Sequence, residues 1–179
     1  PVRIVCHVGK ADRLLADLIT HQLDVVLSDS PVPPGMRVRA YNHLLGECGV
    51  TFLAAPALKR SLKGPFPRCL DDAPFLTPLP TTALGRSLDQ WCEVQRVSPR
   101  IVARLADSAL AKVFAQDGLG VFCLPTVSEE EAVQRYRLRV LGRTEEIKER
   151  FFAISPERKL KSPAVLALCE AARAQIFSA

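Results

Sequence analysis

The sequence predicts an α/β fold built as two lobes, and three observations carry the prediction. Short apolar runs with strand character alternate with segments whose apolar residues recur at helical spacing. The first group runs strand, helix, strand, which is a βαβ unit with parallel strands. A second group follows, and the chain returns to strand and helix at its end, so that two crossovers join two lobes.

Each element has its own warrant. Val2, Ile4, Cys6 and Val8 alternate with Arg3, Val5 and His7 as in a strand. Ala11, Leu14, Leu15, Leu18 and Ile19 mark a helix to about His21, and Leu23–Ser28 reads as a strand buried on both faces. Ser30–Gly35 is a proline-rich break, followed by strands at Val38–Tyr41 and through GECGVTFLAAP to Pro56. Ala57–Lys63 predicts a short helix closed by Gly64. A strand at Phe75–Thr77 leads through Pro80 to a helix carrying Leu84, Leu88, Trp91 and Cys92, then to a strand at Arg100–Leu105. Asp107 or Ser108 caps the helix of Leu110, Val113 and Phe114, which Gly118 ends before a buried strand, LGVFCLP. Strands at Leu138–Leu141 and Phe151–Ser155 follow. Ser162 and Pro163 then open a last helix burying Val165, Cys169, Ala172 and Ile176. The crossovers fall at Gly46–Leu53 and Leu138–Ile147.

With 48% apolar and 24% charged residues the chain has the composition of a packed, water-facing domain, and no apolar run approaches a membrane span. No signal peptide precedes the first strand. The absence of an initial Met reads as a missing natural N-terminus. The net charge of +5 is spread over scattered basic residues rather than a tract, so it reads as a solvated surface and not as a DNA-binding face. The six cysteines form no CxxC pair and lie far from His7, His21 and His43, which argues against zinc. They read as buried reduced thiols of a cytosolic protein. No GxSxG, GxxxxGK[ST], GxGxxG or HExxH occurs, so an enzyme reading finds no support, and no cofactor is implied.

Ligands of α/β folds bind in clefts at the carboxyl ends of strands. Three groups of residues occupy such ends. In the loop from Pro80, the hydroxyls of Thr81 and Thr82 open a helix whose free N–H groups favour an anion or a polar ligand, with Arg86 one turn on. The competing reading is that a threonine merely caps that helix. Val8, Gly9 and Lys10 follow the first strand, where Lys10 favours anions. Asp29 and Ser30 follow the second, where Asp29 suits a hard cation or else simple turn chemistry ahead of Pro31. Which metal, if any, is unknown.

The succession of a leucine-rich helix, LDVVLSD, a GECGVTFL crossover, DSALAKVFAQDGLGVFCLP and a closing strand and helix resembles the regulatory domain of LysR-type transcriptional regulators. Longer stretches (RIVCHVGKADRLLADLITHQLDVVLSDSP, PFPRCLDD and LGRSLDQW among them) are similar to the subgroup controlling a sodium/proton antiporter gene. The resemblance implies a type-2 periplasmic-binding-protein fold, with residues 1–53 plus 144–179 as lobe I and 54–143 as lobe II. It also implies that the winged helix-turn-helix, and the strand and helix that open lobe I, are absent. It further implies a small-molecule or ion effector in the interlobe cleft, faced by the Pro80–Arg86 loop. The implied assembly is an antiparallel homodimer (a tetramer in the parent) that includes the helix Ala11–His21, with DNA bound only through the missing domain and a cytoplasmic, membrane-free location. A solute-binding protein or an enzyme on the same fold is the alternative.

Overall fold

A computed structural model describes residues 2–32 and 39–177. The chain forms two compact units, residues 1–47 with 150–179 and residues 48–149. The chain passes from one unit to the other within two long strands, β2 (Tyr41–Ala54) and β6 (Arg139–Ser155). The lobe boundaries expected at 53/54 and 143/144 fall within the same two strands.

In the first unit, β1 (Val26–Ser28) pairs antiparallel with the end of β6, with Val26 opposite Ile154 and Ser28 opposite Phe152. The expected parallel pairing is therefore corrected here: the neighbour of β1 is a late strand returning in the opposite direction. Alternate residues of β6 serve the two faces. Ile154 joins Leu15 and Leu18 of α1 (Ala11–Ile19), while Ala153 joins Val165 and Cys169 of α6 (Pro163–Gln175). Leu27 is 57% exposed, so the expectation of a strand buried on both faces fails for β1.

Val2–Val8 is the larger correction. It forms neither strand nor helix, and Val2, Ile4, Val5 and Val8 are 68–102% exposed. A strand needs a neighbour to take its backbone hydrogen bonds, and among the described residues none pairs with this segment. Cys6 is consequently exposed rather than buried. Ile176 is exposed as well, and Ser162 makes no side-chain capping bond, so α6 buries less than its apolar pattern promised. Val38, where a strand was expected to begin, and half of the proline-rich break lie outside the described residues; the strand that follows begins at Tyr41 and runs unbroken to Ala54.

In the second unit the strand order is β2-β5-β3-β4, with β3 at Pro74–Pro78, β4 at Arg100–Leu105 and β5 at Val121–Pro125. β3 is parallel to both β4 and β5, and β2 is antiparallel to β5. The period of two sorts the core into two layers. Phe52, Phe75, Val121 and Cys123 face Leu88 and Trp91 of α3 (Ala83–Gln95), whereas Leu53, Leu76, Phe122 and Leu124 face Ala111 and Ala115 of α4 (Ser108–Gln116). Burying one such side chain fully contributes roughly 1.5–3 kcal/mol, which is why these strands read as continuous apolar runs. The short α2 (Pro56–Ser61) is close to its expected position, with Gly64 beyond it at φ +83. A further helix, α5 (Glu129–Arg135), went unseen because its first turn is the acidic run Glu129–Glu131 and only Ala132 is buried. The strands expected at Leu138–Leu141 and Phe151–Ser155 are parts of the single strand β6.

Candidate functional site

The chain leaves β3 through α3 to reach β4 on one side, then leaves β4 through α4 to reach β5 on the other side of β3. The helices lie on opposite faces, so β3 and β5 flank the point where the strand order reverses. In open α/β sheets that point, outside the carboxyl ends of the strands, is where ligands are held. Two segments leave those strand ends: Leu79–Thr82 leading into α3, and the 3-10 turn Thr126–Ser128 leading into α5.

The first segment is tightly built. The Thr82 hydroxyl accepts the Gly85 N–H at 3.0 Å and donates to the Leu79 carbonyl at 2.7 Å, and the Leu79 carbonyl also accepts the Thr82 N–H at 3.0 Å. The loop crosses so close to α3 that a Cβ at position 85 would collide with the Leu79 carbonyl. Only glycine fits there. Arg86 donates to the Thr81 carbonyl at 2.7 Å, folding its guanidinium back over the loop. The capping reading holds for Thr82, and Thr81 is exposed at the start of α3.

The second segment is a polar cluster that sequence reasoning missed. Thr51 of β2, fully buried, donates its hydroxyl to Glu129 at 2.8 Å and lies 3.2 Å from the Thr126 hydroxyl. Arg143 of β6 donates to both carboxylate oxygens of Glu129 at 2.6 Å. The hydrogen bond from Arg143 holds the Glu129 carboxyl below the usual carboxylate range, with the Thr51 hydroxyl acting in the same direction against the opposing effect of burial. Next to this cluster, burial pushes the Cys48 thiol up, assisted by the negative Glu149 and Glu145, although backbone hydrogen bonds at Val127 and Thr126 pull it down. That thiol is kept protonated. Gly49 lets β2 approach β6 here, since any Cβ would meet the Thr144 carbonyl and the Glu145 carboxylate. The sequence signal was faint: a threonine inside an apolar strand, and the first residue of an acidic run.

Pro80, Thr81, Thr82 and Arg86 are therefore brought together at the carboxyl end of β3 in the second unit. Val8, Gly9 and Lys10 belong to the first unit, where Lys10 is the residue before α1 and makes no side-chain cap. Asp29 and Ser30 follow β1 in the same unit, with the Ser30 N–H donating to the Ser28 hydroxyl at 3.1 Å, which is turn chemistry. Among the described residues no group of three or more His, Cys, Asp or Glu side chains converges as a metal site.

A family model described as the LysR substrate binding domain matches residues 2–176, nearly the whole chain. The chain belongs to that family. It is 30% identical over 178 residues to the transcriptional activator protein NhaR of Escherichia coli K12, an alignment covering 99% of this chain and 58% of that protein. This LysR-family chain thus spans little more than half the length of its curated relative. Among solved structures it resembles the regulatory domain of HypT from Salmonella typhimurium in its apo form (TM-score 0.66, 19% identity, 93% of this chain and 78% of that one). It is also similar to the effector binding domain of QuiR in complex with shikimate (TM-score 0.65, 16% identity, 94% and 78%). At these identities the structural likeness is one of fold, and it agrees with the expected LysR regulatory-domain architecture. No helix among the described residues is long and apolar enough to cross a membrane.

Proposed function

We propose that this LysR-family chain is the effector-sensing module of a transcriptional regulator and takes a small effector at the carboxyl ends of β3 and β5. The observation that carries the reading is the built loop at the strand-order reversal, where Thr82 and Gly85 lock the backbone and leave Thr81 and the first-turn N–H groups of α3 presented together. Such a rim suits a carboxylate or another polar anion, because the helix dipole and unpaired N–H donors both favour negative charge. Arg86 adds a cation one turn along. The roles of similar proteins support the reading: one is a transcriptional activator, and another holds shikimate in its effector binding domain.

In the full-length regulator, an N-terminal domain outside this sequence binds DNA, and the regulatory domains pair as an antiparallel homodimer, itself half of a tetramer in the parent. The protein works in the cytoplasm. Within the first unit, Val8, Gly9, Lys10, Asp29 and Ser30 are a separate set of ligand positions, with Asp29 the oxygen ligand for sodium. Ligand binding shifts the population of the module toward the state it binds best, and that shift is what the DNA-binding part reads.

Differential scanning calorimetry tests this on the chain itself, with sodium chloride against choline chloride at matched ionic strength, lithium chloride, and shikimate as the carboxylate probe. At 100 times Kd a ligand adds about 2.7 kcal/mol, which for a chain of this size raises Tm by roughly 5–10 °C. Thr81→Ala is expected to abolish the shift produced by an anionic probe while leaving the unliganded Tm in place. If none of these probes moves Tm, the sensing mechanism loses its basis.

A further inference from the structure

The first unit carries an open cavity of about 640 Å3 bordered by Arg39, Tyr41, Glu157, Arg158, Lys159 and Lys161. Its charge is unbalanced. Lys161 reaches Glu157 at 3.5 Å, but among the described residues Arg39, Arg158 and Lys159 have no ion-pair partner. The ion pairs Arg143–Glu129, Lys112–Glu131 and Arg150–Glu47 all lie away from this cavity. Here three unmatched cations converge on one concavity, with the half-exposed Tyr41 phenol beside them as a hydrogen-bond donor.

From this charge complementarity we infer that the cavity is a contact surface for the phosphate backbone of duplex DNA, read without regard to base sequence. The cavity is open and its cations lie in high dielectric, so a single small anion gains little at any of them. A polyanion with phosphates at fixed spacing engages several cations at once and gains the release of its condensed counterions. The arginines donate in a planar fork matched to phosphate oxygens, and Lys159 acts as a point charge. Thr81 and Arg86 belong to the other unit, and the inference does not depend on effector sensing.

The test is fluorescence anisotropy of the full 179-residue chain titrated into a labelled duplex of arbitrary sequence at 25 and 100 mM potassium chloride. Three phosphate contacts predict a roughly 40-fold weaker association at the higher salt, from a slope of about −0.9 per contact. Arg158→Glu with Lys159→Glu is expected to weaken binding and to flatten the slope by about two contacts. Arg60→Glu, an exposed cation of the other unit, is expected to leave binding unchanged. The milder pair Arg158→Gln and Lys159→Gln repeats the measurement if the charge reversal fails to fold by circular dichroism. No binding at 25 mM salt, or binding by the paired variant equal to the parent, overturns the inference. So does a variant that loses sodium tripolyphosphate binding while holding the duplex as before, since the cavity then serves a small phosphate compound.

Discussion

Arg143 donates from Nε and Nη2 to the two carboxylate oxygens of Glu129, each at 2.6 Å, while the buried Thr51 hydroxyl donates to the same carboxylate. One carboxylate thereby ties β2, β6 and the start of α5 together at the carboxyl end of β5. Glu129 also sits in the first turn of α5, where the helix field favours negative charge.

The pair has a pH signature. The folded carboxyl of Glu129 titrates below its ordinary value, chiefly through the Arg143 hydrogen bond. Below the unfolded pKa the unfolded chain therefore holds a proton that the folded chain does not. The resulting stability is present above the ordinary carboxylate pKa and is lost as pH falls through the lower folded pKa. Arg143→Ala is expected to shallow the acid limb of stability, measured by urea unfolding from pH 6 to pH 3, and to cost about 1 kcal/mol at neutral pH, since Arg143 is half exposed and screened. An acid limb identical to the parent's would show that the pair contributes nothing measurable.

The two adjacent threonines of the α3 loop separate in opposite ways. Thr82→Ala removes the cap on Gly85 and is expected to cost about 1 kcal/mol of stability. Thr81→Ala, at an exposed hydroxyl, is expected to stay within about 0.5 kcal/mol of the parent. Thermal unfolding of the two variants side by side decides between this assignment and its reverse.

Gly85→Ala is expected to destabilise by about 1–3 kcal/mol, the cost of forcing a methyl group against packed backbone. An alanine ordinarily favours a helix over glycine by about 1 kcal/mol, so a stabilised variant would mean that the Leu79 carbonyl moves freely. Chemical denaturation measures either sign.

The thiols order themselves by access. Cys6 is exposed, whereas Cys69, Cys123 and Cys169 are buried; burial pushes Cys92 up to about 11, with Asp89 adding to it, and Cys123 upward too. Iodoacetamide at pH 8 is expected to label Cys6 first and Cys123 only in denaturant, because the thiolate is the reacting form. Peptide mass spectrometry at timed quenches gives the order, and early labelling of Cys123 would place it outside the core described here.

Much of the second unit was legible from the residues alone. The runs at Phe75–Thr77 and LGVFCLP, the Asp107 cap and the Gly118 stop are local signals, and each lies where the structure puts it. Periodicity and capping act over a few residues, so one sequence suffices to read them. The Thr81–Thr82 loop was legible as a pair of alternatives, and geometry identified Thr82 as the cap.

What tertiary structure alone decided depends on partners distant in the chain. Val2–Val8 has the alternation of a strand and yet forms none, because a strand exists only with a neighbour to complete its hydrogen bonds. The antiparallel partner of β1 lies more than a hundred residues later, in β6. The cluster of Thr51, Glu129 and Arg143 joins three separate elements through side chains, and its residue types occur singly all along the sequence. Pattern specifies which face of an element is apolar; which faces and polar groups meet is set by long-range packing.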